Sequence, residues 1–213
     1  MSNPLNNPDL IPSVLFNERK GLMQYLQKLG CSLIINLNAE ECNGSVEVIL
    51  NNEFYTIKNP SGKVLTPAYI SFGNEKVKIG EMALNDYPHN PKCVIFDVLK
   101  ILGKSTFEIK PNQSWQFNVA QNPRYSYLSV IEVQTWEGLR AVTPEFALAL
   151  YLKALKRYAE AATKQQFRRV AIMIPEQYGK IQNTALKVAC LQAGFNLVHT
   201  MQSPKASNDQ IDK

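Results

Sequence analysis

A few residues in this sequence have types and spacing that bear on chemistry. Gly103-Lys104-Ser105-Thr106 has the closing half of a phosphate-binding loop, in which glycine amides cradle phosphates, a lysine reaches the outer ones and a hydroxyl serves the metal. Val98 holds the first glycine position, however, and the segment follows a helical pattern instead of joining a strand to a helix, so no backbone cradle is expected. His89 lies in a proline-flanked loop and His199 in an apolar run, and neither has an acid or nucleophile at a catalytic spacing. Cys31, Cys42, Cys93 and Cys190 are far apart with no C-x-x-C pair. They read as free thiols, and no metal site is expected. Trp115 and Trp136 read as core or edge aromatics.

Composition narrows the classes. With 213 residues and 45% hydrophobic content the chain can bury a sizeable core, as one large domain or two small ones. The net charge is +5, but Lys and Arg are scattered and no basic run is interleaved with aromatics, so nucleic acid is not expected as a partner. The N-terminus lacks a basic segment leading into an apolar one, and no apolar run approaches the length of a membrane span. No membrane partner is expected. Reduced cysteines then suit a cytoplasmic or nuclear setting.

The elements that position these residues are organised around residues 169–204. An apolar run at 170–174, stopped by Pro175, reads as a buried strand. After the Pro175-Glu176 turn a helix follows, with Ile181, Ala185, Val188, Ala189 and Gln192 on one stripe and Leu186 and Cys190 on a second, so burial over much of its circumference is expected. Gly194 ends it, and residues 195–198 read as a second strand, parallel to the first through a crossover. Upstream, residues 1–12 read as a loose arm. Residues 17–29 read as an amphipathic helix with Leu22, Met23, Leu26 and Leu29 on one face, packed on its own domain or docked on a partner.

Residues 31–37 read as a strand, and 46–50 and 54–58 as a hairpin about Asn51-Asn52, since Asn tolerates φ > 0. A further strand is expected at 69–72, and Gly80-Glu81-Met82-Ala83 opens a short helix. A helix is expected over 93–102, with Ile95, Leu99 and Leu102 on one face. From 107 to 142 the pattern is β-like, with Trp115, Phe117, Val119, Tyr125, Tyr127 and Val130 as core candidates. Thr143-Pro144-Glu145 starts a helix that ends near Lys164.

Four blocks in this order resemble the first lobe of the nucleotide-binding domain of the seventy-kilodalton heat-shock (DnaK) family. They are VILNNEFYTIKNPSGKVLTPAYISF at 48–72, VIFDVLKILGK at 94–104, VTPEFALALYLKALKRYAEAA at 142–162, and IPEQYGKIQNTALKVACLQAGFNLVHTMQSP at 174–204. The resemblance implies an α/β, actin-like ATPase (ribonuclease H-like) lobe: a mixed β-sheet flanked by helices, with a smaller α/β insertion subdomain. The expected divisions are an arm and helix at 1–30, the lobe at 31–207 with the insertion at about 66–142, and a polar tail at 208–213.

The family clamps ATP with Mg between two lobes. Its strand-end Asp-Leu-Gly-Thr-Thr turn cradles the phosphates, a Lys polarises the γ-phosphate, and the Glu of Asn-Glu-Pro positions water. By that resemblance the turn is Asn36-Leu37-Asn38-Ala39-Glu40: Asn36 stands at the Asp, Asn38 at the close-approach Gly, and Ala39 and Glu40 at the two Thr. Leu99 stands at the Lys, with Lys100 one residue on, and Ser203 at the Glu. A carboxylate at Glu40 about 4 Å from a phosphate costs roughly 4 kcal/mol at an effective dielectric near 20. With Lys213 soon after Ser203, the second lobe and the peptide-binding domain are expected to be absent.

The expectation is therefore a chain that is not an enzyme and has no cofactor, ATP with Mg being what the family carries. Its role is then an interaction or regulatory module for chaperones or cochaperones. The alternatives are an ATP-binding protein whose site another chain completes, or a diverged fragment. No oligomeric state is indicated. A free first lobe should also expose apolar surface, for the helix at 17–29 or a partner to cover.

Overall fold

Strands that are apolar on both sides need cover on both faces, and this dictates the architecture. In the computed structural model, which describes residues 7–13, 19–174 and 178–202, the first half runs Leu10–Pro12 (β1), Lys20–Lys28 (α1), Leu33–Asn38 (β2), Asn43–Leu50 (β3), Glu53–Ile57 (β4), Thr66–Pro67 (β5), Ile70–Ser71 (β6), Lys78–Ile79 (β7), Glu81–Asp86 (α2), Val94–Ile95 (β8) and Val98–Ile101 (α3). The second half runs Asn118–Gln121 (β9), Ser129–Thr135 (β10), Gly138–Val142 (β11), Pro144–Thr163 (α4), Arg169–Ile174 (β12), Lys180–Gln192 (α5) and Leu197–Gln202 (β13).

The main sheet has the order β1-β4-β3-β2-β12-β13, with β5 added on β3. β2, β12 and β13 are mutually parallel, Ile35 lying opposite Ile172 and Val170 opposite Val198, while β3, β4 and β1 continue the sheet antiparallel. Two three-stranded sheets, β7-β6-β8 and β11-β10-β9, occupy the middle of the chain. Asn51 and Asn52 take φ of 49° and 64°, the left-handed pair that the β3–β4 hairpin requires.

One face of the main sheet carries Leu33, Ile35, Leu37, Val46, Val48, Val170 and Ile172 and is covered by α4 and α5. Thr143 caps α4 by accepting the Phe146 N–H at 3.2 Å, Pro144 fills its first turn, and Lys164 ends it in the left-handed region. The other face carries Ile34, Ile49, Phe54, Ala171 and Met173, and α1 lies over it with Met23 and Leu26 buried and Leu22 and Leu29 at the margin. The helix thus packs on its own domain. Beside this apolar patch the face turns polar: the Arg19 guanidinium donates to both oxygens of Glu47 at 2.7 and 2.8 Å and stands 4.4 Å over the Phe54 ring. Burial pushes the Glu47 carboxyl up, but Arg19, with smaller help from Asn36 and Ser13, outweighs it and holds the carboxyl below its ordinary range.

Several expectations need correction. Within the described part of the N-terminal arm, Leu10–Pro12 is a strand on β4. Leu10 is buried there, and Pro12 is tolerated because the strand is at the sheet edge. The helix expected over 93–102 is split: Val94–Ile95 pairs with β6, Asp97 takes a left-handed φ of 58°, and only Val98–Ile101 is helical. Branched and aromatic side chains at 94–96, all buried, favour the ladder there. Tyr125 and Tyr127 are about half exposed on the β9–β10 loop instead of in the core. On α5 only the Ala185, Leu186, Ala189 and Cys190 side is buried; Ile181 and Val188 face an open groove. The Pro175-Glu176 turn lies outside the described residues.

Two outcomes follow from α1 covering the second face. Leu26→Ala should lower the unfolding free energy by about 3 kcal/mol, read by urea titration with tryptophan fluorescence; a loss of under about 1 kcal/mol would detach α1 from the cooperative core. Arg19→Gln should cost about 3 kcal/mol at pH 7 by leaving Glu47 buried without a cation. The native pair's contribution is complete above the unfolded Glu value of about 4.3 and is lost as pH falls through the lower folded value. The gap between wild type and variant should therefore narrow from pH 7 toward pH 3; a gap constant in pH would refute the pairing.

Candidate functional site

The turn joining β2 to β3 lies at the C-terminal end of the parallel strands, where ligands bind in open α/β sheets. Asn38 shapes it: its Oδ1 accepts the N–H groups of both Glu40 and Glu41, at 3.0 and 3.1 Å. This is an Asx turn, a local bond that short amide side chains favour. Two backbone donors thus converge on one oxygen. Behind the turn Gly44 is held so close that a Cβ would lie 2.8 Å from the Asn36 carbonyl oxygen and 2.9 Å from the Tyr151 hydroxyl, which itself donates to the Thr66 carbonyl at 2.7 Å. Any larger residue at 44 would push α4 off the turn.

The six positions singled out by the resemblance do not all meet. Asn38, Ala39 and Leu99 line one crevice together with Leu37, Cys42 and Asp97, a cavity of about 10 Å³, with room for one water at most. Asn36 projects to the opposite face, where its amide donates at 3.3 Å to the Ser45 hydroxyl and at 3.3 Å to Glu47 Oε2. Glu40 is exposed to solvent. Ser203 lies outside the described residues.

Asp97 was missed by sequence reasoning and is the hub beside the crevice. Its buried carboxylate accepts from Asn112 Nδ2 at 2.9 Å and from Trp115 Nε1 at 3.0 Å, and pairs with Lys100 Nζ at 2.9 Å. Lys100, the residue after the expected Lys position, is therefore committed to Asp97. The Asp97 N–H donates to Cys42 Sγ at 3.2 Å, and burial pushes that thiol up to about 12, so Cys42 is a packing group and not a nucleophile at neutral pH. Glu47 was missed too. Its signal was the single acid in the apolar run Val46-Glu47-Val48-Ile49-Leu50.

Gly103 backs onto α5 with φ of 65°, and a Cβ there would come within 2.7 Å of Gln182 Cα; a packing need, not a phosphate, accounts for this glycine. The hydroxyl of Ser105 is bonded to Glu108 in a capped three-residue turn. Among the described residues no group of three His, Cys, Asp or Glu side chains is placed to hold a metal ion. The two N–H groups of the β2–β3 turn close on Asn38 Oδ1, and both oxygens of Glu47, the carboxylate bonded to Asn36, accept from Arg19, so the described residues here do not fit a resident Mg ion. No described helix is long and apolar enough to cross a membrane.

Comparison with known proteins matches the Hsp70 protein family over residues 35–208. The chain is similar to a ribosome-associated molecular chaperone of Saccharomyces cerevisiae, 28% identical over 169 residues that cover 76% of this chain and 25% of that protein. It is also similar to a heat shock protein of Pyricularia oryzae, 27% identical over 157 residues covering 71% of this chain and 25% of that protein. The chain spans about a quarter of the length of the curated relatives it matches. These matches overturn the expectation, drawn from Asn36, Leu99 and Ser203, that the chain is not an enzyme: the matched family is one of ATPases, and no match records a loss of that activity. They also identify the mixed sheet with its flanking helices as the actin-like ATPase lobe. With that match running over most of its length, the chain belongs to the heat shock protein 70 family.

Proposed function

We propose that this chain is a chaperone ATPase lobe of the cytosol that takes the phosphate end of ATP at the β2–β3 turn, its site completed by contacts from outside this lobe. Client proteins or cochaperones are its further partners. The observation that carries the reading is the convergence of the Glu40 and Glu41 N–H groups on a single acceptor, Asn38 Oδ1. The amide oxygen stands where a phosphate oxygen would accept the same two bonds.

Magnitudes decide how much the turn does alone. A hydrogen bond to a charged acceptor is worth about 2 kcal/mol net against about 1 for a neutral one. Exchanging the Asn38 oxygen for a phosphate oxygen therefore gains about 2 kcal/mol over the pair. Repulsion from the Glu40 carboxylate opposes this, by less than the roughly 4 kcal/mol of a fixed pair because Glu40 is exposed and free to swing. The two effects nearly cancel. Tight binding then requires contacts to the sugar and base from outside this lobe.

Asn38→Gly empties the acceptor position and removes a Cβ from the approach path, and Glu40→Gln removes the opposing charge. Each should tighten ATP binding about tenfold, measured by calorimetric titration on the isolated chain. If neither variant binds ATP more tightly than wild type, the turn does not receive phosphate.

A further inference from the structure

We infer that the end of the main sheet remote from the β2–β3 turn is a docking surface for the phosphodiester backbone of RNA. Six Lys and Arg fall within residues 153–169, Lys153, Lys156, Arg157, Lys164, Arg168 and Arg169, on the second half of α4 and the start of β12, and Lys28 ends α1 beside Arg169. Three contacts draw them together. Arg169 Nη1 donates to the Leu29 carbonyl at 2.7 Å, joining the end of α1 to the start of β12. Lys156 Nζ donates to the Gly194 carbonyl at 2.7 Å and lies 4.7 Å from the Phe195 ring centroid, joining α4 to the α5–β13 loop. The Asn196 N–H donates to the Arg168 carbonyl at 2.7 Å, joining that loop to β12.

Lys28, Lys153, Arg157, Lys164 and Arg168 are exposed, and none of the four ion pairs among the described residues involves them. Lys153 and Arg157 lie one turn apart on α4, a like-charge pairing that costs a few tenths of a kcal/mol on a helix surface. Complementing helix dipoles accounts for only part of the charge. The C-termini of α1, α4 and α5 each carry about half a negative charge, and Glu160, Asp9 and Glu53 are acids tied to this end, through the Phe167 N–H, the Asn7–Ala162 bond and the Gln27–Asn52 bond to the β3–β4 hairpin. A surplus of about two to three positive charges remains.

The chemistry of the surface favours a phosphate chain over a protein or a membrane. A protein interface needs a contiguous apolar core, and a surface-binding lobe needs side chains to insert. Among the described residues the large apolar groups exposed near this end are Leu191 on α5 and, on the α1 side of the sheet, Tyr25. Tyr25 offers a face on which a base can stack. From Lys153 to Lys164, α4 lays its cations along about 17 Å, a span of about three nucleotides.

Fluorescence anisotropy with a labelled 20-nucleotide oligouridylate tests this. Binding is expected at 50 mM salt, weakening with a log–log slope near −3 for about four phosphates neutralised. Lys153→Glu/Arg157→Glu/Lys164→Glu should weaken it at least thirtyfold. Lys63→Glu/Lys76→Glu/Lys92→Glu, with the same change in net charge at exposed sites elsewhere on the chain, should weaken it less than threefold. Circular dichroism melting confirms that both variants fold. No binding at 50 mM salt, or equal losses in the two variants, overturns the inference. Equal or tighter binding to a polyglutamate of matched charge also overturns it, assigning the surface to an acidic polypeptide.

Discussion

Parallel pairing of β2 with β12 is the constraint from which the rest of the fold follows. Parallel strands are buried on both faces, so the alternation of Leu33, Ile35 and Leu37 against Ile34 and Asn36 asks for cover on two sides. α4 and α5 supply one side; α1 supplies the other through Met23 and Leu26. Burial of a leucine such as Leu26 contributes about 2 kcal/mol. The Arg19–Glu47 pair gives little net stability against an apolar alternative, because desolvation opposes the attraction. What it does is fix where α1 starts, since only one placement satisfies both carboxylate oxygens.

The same pairing decides what the β2–β3 turn presents. Side chains alternate along β2, so Asn36 and Leu37 project to opposite faces, and the amide of Asn36 is drawn into the α1 side by Glu47 and Ser45. Leu37 goes to the α4 side with Leu99 and Cys42. At the turn itself the Glu40 and Glu41 side chains stand exposed, and their N–H groups are ordered by Asn38. Gly44 and Tyr151 then lock that backbone to α4, so the turn's amides are held by the longest helix of the chain.

The elements with strong local signals were legible: the Thr143-Pro144-Glu145 start of α4, the Asn51-Asn52 hairpin, and the strand, helix and strand of residues 169–202. Family membership was legible as well, because four collinear blocks survive where single motifs had changed. The failures share a physical cause. Ile95 and Leu102 fit a helical period, but 94–96 are buried between layers where a ladder is worth more than periodicity, and Asp97 accepts a left-handed backbone that breaks the pattern. Ile181 and Val188 fit the stripe of a buried helix, yet α5 has a neighbour on one side only. Within the candidate site, the positions taken from the family could be numbered, but their side-chain partners could not. Glu47 and Asp97 bind residues 28 and 15 to 18 positions away in sequence, Arg19 in one case and Asn112 and Trp115 in the other. The expectation, drawn from Asn36, Leu99 and Ser203, that the chain is not an enzyme failed because the family it belongs to is one of ATPases.

Topology places the cations of residues 153–169 toward the end of the sheet remote from the β2–β3 turn. A helix that links parallel strands travels antiparallel to them, so its C-terminus comes down beside the strands' N-terminal ends. Here α4 and α5 both do so, and α1, which feeds directly into β2, ends there too. Cations are favoured in the last turn of each helix and at the strand starts beside them. α1 contributes Lys28 in its last turn and α4 contributes cations along its second half, while neither α4 nor α5 has a basic residue in its last turn; Lys28 lies more than a hundred residues from the others in sequence, and the fold sets it beside Arg169. At the opposite end, the C-terminal ends of the same strands, the turn presents the Glu40 and Glu41 N–H groups, closed on Asn38 Oδ1. A parallel sheet of this kind separates two sources of positive potential by the length of its strands: amides at one end, side chains at the other.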